Sequence, residues 1–346
     1  MTTSASSDAP AADAAEILVE AELLAGSGRT LDAIELLRDR LRRGSDPVVE
    51  TKLVELRHRA FDELPRAGFD SWPAPIDGVD REGPAVIPTI EPADLDADVV
   101  RRHILSRGSV LVRGLFSDHV DEFIAGIDRA LAAPADVRAG PGPDQSWLQW
   151  LPLPPAEAES LGRHWVFASG GRLACDSPRM LHMLLEAYVD IGLRDVVEGY
   201  LGERPVLSAN KCTLRRVETT AGTDWHQDGA FLGAGIRALN IWVALTDCGV
   251  DAPGMDLVPR RFDEVVETGT GGAIFDWAVG PDTVAQLSAS APVVRPKFQA
   301  GDALLFDDLF LHRTAIDPSM SRSRYAIESW FFAPTSYPDG QVPIVW

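Results

Sequence analysis

Two segments of this chain make sense together only if a long-range fold joins them: Asp224-Trp225-His226-Gln227-Asp228-Gly229, and His312, 86 residues further on. Side chains alternate along extended backbone, so His226 and Asp228 project to the same side and can grip one ion. A histidine from a distant strand then completes a 2-His-1-carboxylate set, which occupies one face of an octahedral iron and leaves the other positions open. Alone, the His-x-Asp spacing describes a hydrogen-bonded surface turn better than a metal site, so the surrounding sequence has to decide. Gly301-Asp302 reads as a turn, Ala303-Leu304-Leu305-Phe306 as a buried strand, and His312 follows within Leu309-Phe310-Leu311-His312-Arg313-Thr314. An imidazole in so apolar a setting needs its ring nitrogens satisfied, and a metal is one way to satisfy them. Arg324 opens the largely apolar run Tyr325-Ala326-Ile327-Glu328-Ser329-Trp330-Phe331-Phe332 with no acid beside it, and its planar fork suits a carboxylate.

A chain of 346 residues can bury a large core. A net charge of −20 repels nucleic acid and anionic membrane surfaces, so neither is expected as a partner. No apolar run is long enough to span a bilayer, and the first residues lack a signal-peptide pattern. Cys175, Cys212 and Cys248 show neither a paired framework nor C-x-x-C spacing, which suits reduced thiols and a cytoplasmic protein.

Residues 1–12 are small and polar and read as a disordered tail. Residues 13–64 read as a helical segment: Ala14, Ile17, Leu18, Ala21 and Leu24 have helical spacing, Thr30 offers a cap for a second helix, and Asp46-Pro47 starts a third. Such helices are similar to tetratricopeptide hairpins but too few for a solenoid. They serve better as a cap on the main domain or as a surface for a homodimer. Residues 65–92, rich in proline and glycine, read as a linker. The main domain, 93–346, begins with the strand Val110-Leu111-Val112, followed by a helix with Asp118 as its cap, and Ser177-Pro178 opens another. Short strands then dominate, from Val206 to Phe332. The expectation is a mainly β fold with flanking helices, its core a closed antiparallel jelly roll.

The order Trp225-His226-Gln227-Asp228-Gly229, Ile241-Trp242-Val243-Ala244-Leu245-Thr246-Asp247, Leu257-Val258-Pro259, Gly301-Asp302-Ala303-Leu304-Leu305-Phe306, His312 and Arg324 resembles the phytanoyl-CoA dioxygenase family. Gly108-Ser109-Val110-Leu111-Val112-Arg113-Gly114-Leu115 is similar to that family's opening strand, so the resemblance spans roughly residues 90 to 335 and leaves out the N-terminal helices. It implies a double-stranded β-helix of the cupin-like kind that binds Fe(II), 2-oxoglutarate and O₂. Carried over by position, His226, Asp228 and His312 are the iron ligands. Arg324 receives the distal carboxylate of 2-oxoglutarate, Thr314 donates a hydroxyl beside it, and Trp242 lines the cosubstrate pocket. The interval from His312 to the arginine is about one residue longer than usual, which leaves Arg322 as an alternative.

The resemblance also implies hydroxylation of an unactivated C–H bond of a small-molecule substrate, with release of succinate and CO₂. Asp228 retains the carboxylate that halogenases on this scaffold lack, which favours hydroxylation over halogenation. Desaturation, epimerisation and cyclisation use the same iron site, and a non-catalytic scaffold is a further alternative. Pro259-Arg260-Arg261-Phe262 departs from the family's P-G-S-H, so Arg260 is either solvated charge or a site for an anionic substrate group. The irregular segment bearing Trp147, Trp150 and His164 reads as a candidate substrate lid or as ordinary packing.

Overall fold

In the computed structural model, residues 9–66, 72–133 and 146–346 are described. The helices are α1 (Ala9–Gly26), α2 (Thr30–Leu41), α3 (Pro47–Arg59), α4 (Ala97–Arg107), α5 (Val120–Ala132), α6 (Pro155–Ser160), α7 (Arg163–Ala168), α8 (Pro178–Asp190), α9 (Leu193–Leu201), α10 (Gly229–Leu232) and α11 (Pro281–Leu287). The strands are β1 (Thr89–Ile90), β2 (Ser109–Val112), β3 (Gly171–Leu173), β4 (Val206–Val217), β5 (Ala238–Ala244), β6 (Gly254–Leu257), β7 (Ala303–Phe306), β8 (His312–Ala315), β9 (Arg324–Phe332) and β10 (Pro343–Val345). The flanking helices are numerous and run well beyond the N-terminal segment. A sheet that is buried on both faces needs a helical layer on one of them.

The eight-stranded sheet has the order β1-β2-β7-β5-β9-β4-β10, with β3 paired to β4 off that path. Alternation along β5 decides what each face touches. Leu239, Ile241 and Val243 join the cluster formed with the helices, whereas Ala238, Trp242 and Ala244 join Met255 and Leu257 of β6. The second sheet is β6 against β8, extended at its sides by the single bridges His226↔His312 and Leu257↔Val294. Two facing sheets of unequal size, antiparallel apart from the β1–β2 pair, form the jelly-roll, double-stranded β-helix core, and the space between them holds the site.

Helices α1–α3 pack on the body of the chain. Ala33, Ile34, Leu37 and Leu53 share a cluster with Val206 of β4 and Val345 of β10. Burying each aliphatic side chain of the size of leucine contributes about 1.5–3 kcal/mol. Asp46 caps α3 as expected, accepting from Val48 N at 3.0 Å and Val49 N at 3.2 Å. The other expected caps differ. Thr30 is already inside α2, and the carboxylate of Glu63 takes its N–H at 2.9 Å. Asp118 lies in a 3₁₀ turn before α5, and the Ser177 hydroxyl makes no capping bond, although Pro178 does open α8. Helix α1 starts at Ala9, so four residues of the expected tail are helical; residues 1–8 lie outside the described residues. The segment read as a linker supplies β1, which pairs in parallel with β2.

Candidate iron site

His226 and His312 exchange both backbone hydrogen bonds, each 3.0 Å, so their side chains leave adjacent extended segments on the same face. The ring centroids are 4.4 Å apart. His226 Nδ1 lies 2.7 Å from the carbonyl oxygen of Asp224, and His312 Nδ1 lies 2.9 Å from that of Phe310. A carbonyl only accepts, so each Nδ1 carries the hydrogen and each Nε2 presents a lone pair to the same space.

Asp228 reaches that space by another route than expected. Its backbone is helical, φ −65° and ψ −26°, at the start of α10, and not extended. The turn is fixed from outside by Gln227, whose Nε2 donates to Leu309 O at 2.6 Å and whose Oε1 accepts from Val266 N at 2.7 Å. Gly229 N donates to Asp308 O at 2.9 Å, and a Cβ at position 229 would meet Asp308 Oδ2 at 2.9 Å, so a larger residue there would have to push the Asp308 carboxylate aside. Gly108 is left-handed at φ 85°, which favours glycine, and a Cβ there would also strike the Phe310 ring at 2.6 Å. That ring stacks on His312 at 6.1 Å, 14° from parallel.

Asp228 Oδ1 stands 4.0 Å from His226 Nε2, and Oδ2 stands 3.7 Å from His312 Nε2. One ligand atom from each residue lies within 4.8 Å of the others. Asp228 Oδ2 is buried and has no hydrogen-bond partner. Burial pushes the Asp228 carboxyl well above the usual carboxylate range and holds both imidazoles below theirs. Two neutral imidazole nitrogens and a carboxylate oxygen with no donor form a set that a divalent cation completes, and iron fits it.

A cavity of about 510 Å³ opens from these residues between the two sheets. Arg324, Thr314 and Trp242 all line it. Arg324 is buried at the start of β9 and donates to the carbonyls of Pro253 and Gly254, each at 3.2 Å, while its Nε has no partner. Its guanidinium carbon lies 5.1 Å from the Trp242 ring centroid. Burial pulls its pKa down to about 10, so it keeps its charge near neutral pH. Arg322 sits in another environment: it is exposed and paired with Asp251 at 2.9 Å.

Four expected substrate contacts do not line this cavity. Trp147 is buried in the helical cluster with Arg129 and Arg179 over its ring, and Trp150 lies under Arg163. His164 lies tilted beside Trp165, and Arg260 donates to Leu287 O at 3.3 Å and lines a separate hollow. Trp165, Lys211, Arg215, Phe231 and Trp277 take their place. Two of these left a signal in the sequence: Lys211, Thr213 and Arg215 alternate with Cys212 and Leu214, a polar face within a mostly buried strand.

The facing sheets, the three converging ligands and the buried arginine define a class, the iron-dependent oxygenases built on a jelly roll. The chain belongs to the phytanoyl-CoA dioxygenase family, whose model matches residues 106–323, and is an Fe(II)- and 2-oxoglutarate-dependent oxygenase. The match takes in both histidines and Asp228 and ends one residue before Arg324. Among solved structures, EctD from S. alaskensis with 2-oxoglutarate and 5-hydroxyectoine is similar, with 17% identity, 75% of this chain and 84% of that chain covered, and a TM-score of 0.48. So is the non-heme alpha-ketoglutarate-dependent epimerase SnoN from nogalamycin biosynthesis, with 20% identity, 68% and 82% covered, and a TM-score of 0.44. The carbocyclase SnoK from the same biosynthesis has 16% identity, 72% and 87% covered, and a TM-score of 0.44. No curated protein sequence matches the chain. Among the described residues no helix is long and apolar enough to cross a membrane.

Proposed function

We propose that His226, Asp228 and His312 hold Fe(II), that Arg324 with Thr314 and Trp242 holds 2-oxoglutarate, and that the enzyme hydroxylates a C–H bond of a cytoplasmic small molecule. The observation that supports this most is the convergence of three ligand atoms within 4.8 Å, one of them a buried carboxylate oxygen without a partner. Iron and 2-oxoglutarate together supply O₂ activation coupled to decarboxylation of the 2-oxo acid, giving succinate, CO₂ and an oxidised substrate carbon.

This chain's residues place and protect that chemistry. The carbonyls of Asp224 and Phe310 lock both imidazoles in the ligating tautomer. Gln227 fixes the turn that aims Asp228. Arg324, with Nε free and a charge already desolvated, orients a diacid by its far carboxylate. Trp242 and Phe306 wall the cavity and exclude water.

Helices α1–α3 spend their inner faces on this chain, which supports a capping role. Val19, Leu23 and Val48 stay exposed for a second copy, and light scattering on the purified protein distinguishes monomer from homodimer.

The test is product mass with a turned-over substrate. Hydroxylation adds one oxygen atom, desaturation removes two hydrogens and epimerisation leaves the mass unchanged. Succinate release that requires both Fe(II) and 2-oxoglutarate is expected in each case, and its absence would sink the proposal.

A further inference from the structure

The cavity holds more positive charge than a diacid cosubstrate uses. Besides Arg324 it is lined by Lys211 and Arg215, four residues apart on one face of β4 with Thr213 between them. The carboxylates that line it are Asp228 and Glu328. Glu328 is already engaged, accepting from Thr213 Oγ1 at 3.2 Å and Trp330 Nε1 at 3.1 Å. Arg215 Nε donates to Thr213 Oγ1 at 3.3 Å. Lys211, half-buried, has no carboxylate within ion-pair distance among the described residues, and its ammonium lies 4.2 Å from the Phe231 ring centroid.

With a divalent cation and a dianionic cosubstrate in place, those two cancel. Asp228 and Glu328 offset two of the three side-chain cations, and one positive charge is left over. A half-buried ammonium that rests on a ring face, with no carboxylate in ion-pair contact among the described residues, favours an anion beside it. The local backbone serves the same end: β4 loses register with β9 between Leu207 and Cys212, the kind of irregularity that re-aims side chains near active sites. Much of the remaining wall is aromatic. Phe231 and Trp277 meet edge to face with centroids 6.3 Å apart, and both line the cavity while staying partly open to solvent. Such a rim accepts a flat apolar surface.

We propose that the substrate is a flat, apolar molecule carrying one carboxylate, with Lys211 as the counter-ion of that carboxylate and Phe231 and Trp277 against its body. This rests on the iron reading above, and the experiment separates the two. The full-length protein is loaded anaerobically with Fe(II) and saturating 2-oxoglutarate, which occupies Arg324, and the visible charge-transfer band of the loaded site is recorded. Binding of 2-naphthoate and of its neutral amide, 2-naphthamide, is then measured by equilibrium dialysis. The acid is expected to bind about 10-fold tighter than the amide, as one partly screened ion pair implies. Lys211→Met abolishes that preference and Lys211→Arg keeps it. Equal binding of the two probes, absence of binding by both, or a preference that survives Lys211→Met overturns the proposal. Failure of the band to form in the unaltered protein overturns the iron reading itself.

Discussion

The interface between the N-terminal helices and the body, and the cavity between the sheets, both bury charge, but they complete it differently. At the interface Arg38 pairs with Glu186 at 2.6 Å, Glu50 receives Arg179 at 3.0 Å, and the buried Arg57 donates to Val345 O at 2.7 Å. The chain itself supplies every one of those partners. In the cavity Arg324 Nε and Asp228 Oδ2 are buried with none. Charge that the protein completes holds two parts together, whereas charge left incomplete costs stability unless a ligand answers it.

Several substitutions would break or sharpen this contrast. The largest effect is expected from Asp228→Ala, which should lower iron affinity and succinate formation by more than about 100-fold, beyond the usual loss from removing an outer partner. Iron analysis after gel filtration checks it, with circular dichroism showing that the fold survives. Next, Arg324→Met should raise the KM for 2-oxoglutarate by roughly 30-fold or more, as loss of one half of a buried charge pair does. It should not destabilise the ligand-free protein, because it removes an incomplete charge. Arg322→Met, made where the arginine is exposed and paired with Asp251, should change that KM by less than about 2-fold.

At the interface the pattern should invert. Arg38→Met leaves Glu186 without its close partner and should cost about 3–5 kcal/mol of stability in denaturant melts, with the KM for 2-oxoglutarate unmoved. A smaller, pH-dependent effect comes from His182, whose Nδ1 has no partner and whose pKa burial lowers to about 4. Its folded value lies below the unfolded one, so the folded state binds fewer protons. The contribution to stability is complete above about pH 6.5 and is lost as pH falls toward 4, up to about 3 kcal/mol. His182→Gln should flatten the stability curve over that window, as read from thermal melts at stepped pH.

What was legible in the sequence had a local cause. His312 stood out because a polar group in an apolar run needs a stated partner, His226 because an acid lies two residues on, and Asp46-Pro47 announced α3 because cap and first-turn proline act within one turn of chain. Asp228 was found for an incomplete reason. Alternation in a strand put it beside His226, but a helical turn clamped by Gln227, Leu309 and Val266 is what aims it, and those contacts span up to 82 residues. Trp147, Trp150 and His164 left lid and packing equally open because aromatic residues in an aperiodic segment carry no sign of the face they occupy. Trp277, from a loop, and Phe231, from the short helix α10, reach the cavity from segments whose placement depends on the finished sheets. The lost caps at Thr30 and Ser177 have the same origin: a remote carboxylate outcompetes one hydroxyl, and burial isolates the other.

The central claim is that three side chains from two distant segments form one iron site with a guanidinium placed for a diacid. Anaerobic titration of the apoprotein with Fe(II) in the presence of 2-oxoglutarate tests it most directly. The account predicts a visible metal-to-ligand charge-transfer band that saturates at one iron per chain and is absent in Asp228→Ala. A protein that binds no iron, or one whose band persists unchanged in that variant, would contradict it.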